Sequence, residues 1–145
     1  MVDAYVDSNV LIRFFTRDHP EMAERARQAL AAAAEGRIKL FLTPVVLAEV
    51  VWTLNSFYRY GRRQIANDLL SLLAFQGVEV PDREVVAVAI SLYGERGMDF
   101  GDALLAAYAL VEGPRQVCTF DRHFRSIPGL AVLEPGSAPN PTGGN

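Results

Sequence analysis

Short apolar runs alternate with segments of helical period along nearly the whole chain, and proline, glycine or a capping residue marks each switch. Apolar residues 4–6 end in Asp7-Ser8-Asn9 and pass directly into Val10, Leu11, Phe14 and Phe15 at helical spacing. Pro20 opens a helix over residues 21–34 that Gly36 closes, and residues 38–42 form a second apolar run. Thr43-Pro44 then supplies an N-cap and a proline at the first helical position for an apolar helix over residues 45–57. Further helices are expected over residues 64–75, from Pro81-Asp82 to Leu92, and over residues 103–111, with strands at 78–80, 117–120 and, at an edge, 130–133. Strands that are short and apolar on both faces, alternating with helices, predict an α/β fold: a three-layer α/β/α sandwich around a central parallel sheet. Residues 1–134 form one domain in this reading, and residues 135–145, rich in proline, glycine and polar residues, a flexible tail.

The 145 residues are 50% hydrophobic and 21% charged with a mean hydropathy of +0.13, the profile of a compact globular protein. No apolar run approaches the ~20 residues that span a bilayer. Asp3 and the lack of a basic leader speak against a signal peptide. A single cysteine, Cys118, excludes an internal disulfide and suits a reducing compartment, so a cytoplasmic location is expected.

Five carboxylates stand at the edges or in the middle of apolar runs: Asp7, Glu49, Asp99, Asp102 and Asp121. They come from four separate stretches, so only a fold that joins those stretches explains them together. Asp7 and Asp121 fall at the carboxyl ends of strands, where open parallel sheets bind ligands, although each also precedes a helix and suits an N-cap. Glu49, inside Val45-Val46-Leu47-Ala48-Glu49-Val50-Val51-Trp52, is expected to be buried or nearly so; the alternative is a narrow exposed stripe. An ionised carboxylate buried without a partner costs several kcal/mol, and no basic residue lies within a helical turn of it. Asp99 and Asp102 read equally as an N-cap with an acid at N3. The small residues after Asp102 would let its helix approach the sheet closely.

Carboxylates gathered at one sheet edge repel one another, and a hard divalent cation bound through oxygen relieves that repulsion. Mg2+, or Mn2+, fits an all-oxygen set; zinc does not, since Cys118 lies in a strand and His19 and His123 have no ligand spacing. The net charge of −3 is more than accounted for by these five acids, so the acidity is local. Of the 14 basic residues all but Lys39 are arginine, and Arg13, Arg17, Arg59, Arg62, Arg63, Arg122 and Arg125 are candidates for phosphate contacts.

Four segments carry a family resemblance: Val6-Asp7-Ser8-Asn9-Val10-Leu11-Ile12, Leu47-Ala48-Glu49-Val50, Asp99-Phe100-Gly101-Asp102-Ala103-Leu104-Leu105-Ala106 and Thr119-Phe120-Asp121-Arg122-His123-Phe124. In this order they resemble the signature segments of PIN-domain ribonucleases, most closely the VapC-type toxins of bacterial toxin–antitoxin pairs. The resemblance implies that Asp7, Glu49, Asp102 and Asp121 are catalytic and hold one or two Mg2+ ions. It makes Asp99 an auxiliary acid, and Ser8 and Thr119 hydroxyl residues of the pocket. It further implies an endoribonuclease that cleaves RNA by metal-activated water, with Arg13, Arg122 and Arg125 near the RNA, a cognate antitoxin and a homodimer. Leu11, Phe14, Phe15 and the region 52–60 are the apolar candidates for those protein surfaces, with core packing as the plainer explanation of each. Gly101 stands where many members carry alanine. The rival readings on such a scaffold are a phosphoacceptor domain, which would want a lysine after the last strand where this chain has none, and an RNA-binding domain that does not cut.

Overall fold

The computed structural model describes residues 2–136. Strand β1 (Val2–Tyr5) leads into helices α1 (Ser8–Thr16) and α2 (Pro20–Ala34), and the chain returns as β2 (Ile38–Phe41). Helix α3 (Pro44–Trp52) runs on as a π-helical segment (Thr53–Phe57) before α4 (Arg62–Leu73) and the short β3 (Val78–Glu79). Helices α5 (Arg83–Arg96) and α6 (Phe100–Glu112), β4 (Gln116–Cys118), a 3-10 turn (Arg122–Ser126) and β5 (Ala131–Leu133) complete the described chain. The expected tail lies, from residue 137 on, outside the described residues.

Every strand pairing is parallel, as the alternating pattern requires. Val2 faces Ile38 and Leu40 faces Val78 in a sheet of order β1-β2-β3, while Gln116 faces Ala131 in a separate pair, β4-β5. The central sheet is therefore divided in two among the described residues. The reason is visible in the packing: β4 and β5 are seated against α6 and the 3-10 turn, and the outer edge of β1 carries no strand. The expectation that each strand is covered on both faces is corrected at this edge. All four β1 residues are exposed, Tyr5 at 77%, with its ring resting at 5.3 Å on Phe41 of β2.

Local chemistry accounts for the helix boundaries. Thr43 Oγ1 accepts from the Val46 amide at 3.2 Å, and Pro44 takes the first helical position of α3, as read from the sequence. Arg17, in the left-handed region at φ 59°, ends α1 with its amide donating to the Arg13 carbonyl. The next residue, Asp18, ties α1 to the π-helical segment: the Tyr58 hydroxyl donates to it at 2.5 Å, Thr16 at 3.1 Å and Arg13 at 3.2 Å. These contacts, the Tyr58 hydrogen bond foremost, hold the Asp18 carboxyl below the usual aspartate range.

Helices supply most of the core. Helix α6 turns Ala103, Ala106 and Ala107 inward, all fully buried, against α5, α3 and β4, so these small side chains serve a close helix–helix approach. The sequence assigned them to a close approach to the sheet; β4 is the only strand they meet extensively. On the other flank of α5, a Cβ at Gly94 would stand 2.6 Å from the Ala66 Cβ of α4. Arg62, at the start of α4, donates to the carbonyls of Met98 at 2.7 Å and Tyr93 at 3.3 Å and lies over the Tyr93 ring. That use of its Nη1 is structural. Leu11 is likewise core, and Phe14 and Phe15 pack against it half-buried.

Two glycines give opposite predictions in urea unfolding. Gly94→Val costs about 2–3 kcal/mol, because Ala66 has no flexible atoms with which to yield. Gly101→Ala, whose added Cβ meets nothing within 4 Å, gains about 0.5–1 kcal/mol from helix propensity. Equal midpoints for the two variants would contradict the packing described.

Candidate functional site

The five acids are presented in different ways. Asp7 is the N-cap of α1: its Oδ1 accepts from the Ser8 amide at 2.7 Å and its Oδ2 from Asn9 Nδ2 at 3.2 Å. Asp121 caps the 3-10 turn, accepting from the His123 amide at 2.8 Å, while its own amide donates to Thr119 Oγ1 at 2.9 Å. Thr119 thus positions the backbone of Asp121, and Ser8 contributes an amide to Asp7.

Asp99 occupies the N-cap position of α6 and its carbonyl receives the Ala103 amide, yet its carboxylate makes no capping hydrogen bond. Capping therefore explains the residue's place in the chain but not its side chain. Asp102 sits in the first turn of the same helix, half-buried.

Glu49 departs from expectation. It is exposed, because one face of α3 has no covering element. Val45, Glu49 and Trp52, spaced by four and three residues, form an uncovered stripe on which Trp52 is 67% exposed. The apolar neighbours of Glu49 belong to the opposite face, where Leu47, Val50 and Val51 are buried.

That stripe borders a cavity of about 570 Å³ between α3, the π-helical segment and the start of α6. Trp52, Asn55, Ser56, Tyr93, Asp99 and Asp102 are among its lining residues. Burial first, then the charges of Asp99 and Asp121, hold the Asp102 carboxyl above its ordinary value, against a smaller lowering by His123. Asp99, Asp102 and Asp121 thus share one electrostatic neighbourhood. No three His, Cys, Asp or Glu residues among the described residues are grouped closely enough to hold a metal ion. The Asp7 carboxylate accepts from its own helix end, and Glu49 is exposed to solvent.

The donor chemistry of the gathered acids is oxygen only, which fits a hard divalent cation and relief of their mutual repulsion. Among the arginines singled out by sequence, Arg13 pairs with Asp18 at 3.2 Å and Arg125 with Glu134 at 3.4 Å, while Arg122 is exposed beside Asp121. Trp52 is exposed, in the region 52–60 that the sequence offered as a candidate protein surface, whereas Phe120, 80% exposed, was missed because it ended a run that read as buried strand.

The model of the PIN domain family matches residues 4–130, a span that includes all five acids. The chain belongs to the PIN-domain family. The VapC ribonuclease of Aquifex aeolicus (strain VF5) is 27% identical to this PIN domain over 130 residues, 90% of this chain and 95% of the relative. The crystal structure of VapBC2 from Rickettsia felis, bound to a DNA fragment from their promoter, aligns with 92% of this chain and 98% of its own at 17% identity and a TM-score of 0.38. No helix among the described residues is long and apolar enough to cross a membrane.

The charge cluster yields a stability prediction with a defined sign. A carboxyl whose folded pKa is raised is neutral in both states well below its ordinary value of 3.8. The unfolded chain ionises first as pH rises, so the native state loses stability through that window and the loss is complete above the folded pKa. Asp102→Asn removes the penalty and should raise Tm by about 1–3 °C at pH 7 in EDTA, with little difference near pH 3. An unchanged or lower Tm at pH 7 contradicts the cluster.

Proposed function

We propose that this PIN domain is a magnesium-dependent endoribonuclease, acting as the toxin of a toxin–antitoxin pair. The observation that carries the reading is the electrostatic neighbourhood that Asp102 shares with Asp99 and Asp121, with Asp99 and Asp102 lining an open, aromatic-lined cavity, in a chain of this family. The similarity to a VapC ribonuclease supports RNA as the substrate.

In this reading Asp102 and Asp121 hold Mg2+, or Mn2+, with Asp99 as the neighbouring acid. Asp7 and Glu49 join the set on the strength of the family motifs. The cation, when bound, supplies a lowered pKa for coordinated water and neutralises charge on the phosphodiester. The chain's own residues orient and screen. Thr119 and the His123 amide fix Asp121, the α6 N-terminus carries Asp102, and the exposed Arg122, next to Asp121 in the chain, offers positive charge to an anionic strand. No side-chain nucleophile is required.

An antitoxin partner, a homodimer and a cytoplasmic location complete the proposal. The uncovered Val45–Glu49–Trp52 stripe and Phe57, also exposed, offer apolar area on the flank of α3.

Cleavage of a panel of structured cellular RNAs tests the reading. Activity should need Mg2+, stop in EDTA, and fall roughly a hundredfold or more in Asp102→Asn and Asp121→Asn. Equal cleavage by the variants, or indifference to EDTA, would sink the mechanism.

A further inference from the structure

Between α1 and α4 lies a cavity of about 390 Å³ that shares no lining residue with the acid cavity or with the exposed flank of α3. We propose that it is a binding site for one alkylguanidinium group, with Asp68 as the counter-ion and the rings of Phe14, Phe15 and Phe75 as walls. The proposal stands apart from the ribonuclease reading and uses none of the acids placed at that site.

Asp68 is the group that calls for a partner. It is half-buried on α4 and makes no hydrogen bond or ion pair among the described residues. Burial pushes its carboxyl above the ordinary aspartate value, a cost that a bound cation would relieve. Gln64, Asp68 and Ser71, spaced by four and three residues, stand on one face of α4 and line the cavity, so two further oxygen acceptors share the wall with the carboxylate. On α1, Phe14 and Phe15 meet edge to face with ring centres 5.2 Å apart and planes at 66°, which makes a corner and not a flat patch. Leu72 and Phe75 continue the apolar lining.

One unpaired acid among aromatic walls selects the kind of cation. A divalent metal ion needs several oxygen ligands, and Asp68 is the only carboxylate among the lining residues. An ammonium is compact and strongly hydrated, so it loses much on entering such walls. A guanidinium is planar and weakly hydrated, stacks on ring faces, and offers a fork of N–H donors that matches both oxygens of a carboxylate. Arg17 lines the same cavity without filling this role: its guanidinium makes no hydrogen bond or ion pair among the described residues, and its charge is one of those that lower the Glu24 carboxyl. An anion drawn by Arg17 would meet Asp68 in the same space, and an apolar occupant would bury that acid further without a partner. The volume lies within the ~300–1,000 Å³ of small-ligand sites.

The full chain, isotope-labelled for amide resonances, is titrated with ethylguanidinium, and ethylurea, of similar shape but uncharged, serves as the control. Saturable shifts of α1 and α4 amides around Phe15 and Asp68 are expected with the cation and none with the urea. Asp68→Asn should weaken binding roughly tenfold or more while circular dichroism shows the fold retained. Phe75→Leu, which keeps apolar bulk and removes a ring, tests the walls independently and should weaken binding roughly threefold. Propylammonium, of the same charge, should bind more weakly than ethylguanidinium. Two carriers of the group distinguish its source: aminobutylguanidine stands for a free small molecule and N-acetyl-arginine amide for an arginine of a bound chain, and the tighter one names the occupant. Equal shifts with ethylurea, unchanged affinity in Asp68→Asn, or preference for the ammonium overturns the site. Non-saturating shifts spread over the whole surface, as a denaturant produces, overturn it as well.

Discussion

The close seating of α6 against α5 and α3 is the contact on which the rest of the arrangement depends. Ala103, Ala106 and Ala107 put only methyl groups on the buried face of α6, which lets its first turn come to the flank of α3. Asp99 and Asp102 then line one cavity together with Trp52 and Asn55. Bulk at any of the three alanines would move the acids before it touched them. The Tyr93 and Phe100 rings, edge to face at 6.4 Å, and Arg62 over Tyr93 brace the same corner from the α4 side.

From that seating the electrostatics follow. The first turn of α6 favours carboxylates through its exposed amides, yet Asp99 and Asp121 charge the same space and raise Asp102. The native fold tolerates this repulsion because the site is only partly buried. Such a site is stabilised by whatever brings positive charge to it.

Much of this was legible in the sequence. Thr43-Pro44 marked the start of α3, Pro20 and Gly36 bounded α2 closely, and the alternation of runs gave parallel pairing. The acids of α6 and the 3-10 turn were recognisable, and Asp7 and Asp121 cap as their positions suggested. What failed was whatever depends on which neighbours the fold supplies. Glu49 has apolar residues on both sides in the chain, but a helix exposes the face that nothing covers, and one-dimensional context does not reveal that face. Asp99 has a cap's position without a cap's hydrogen bond, a distinction of side-chain rotation alone. The strength of evidence is therefore reversed from the linear reading: Asp99 gains and Glu49 loses. The split of the sheet, with β4-β5 held by α6 while β1 keeps an open edge, belongs to the same class of long-range outcome.

The central claim of the proposal is that Asp102 and Asp121, with Asp99 as the neighbouring acid, hold a divalent cation. Titration of the full chain with Mn2+, followed by the loss of its free-ion electron paramagnetic resonance signal and without any RNA, tests it most directly. The account predicts saturable binding by the wild type, displaced by Mg2+ and abolished in the Asp102→Asn, Asp121→Asn double variant while the fold is retained by circular dichroism. Equal Mn2+ binding by wild type and double variant would contradict it.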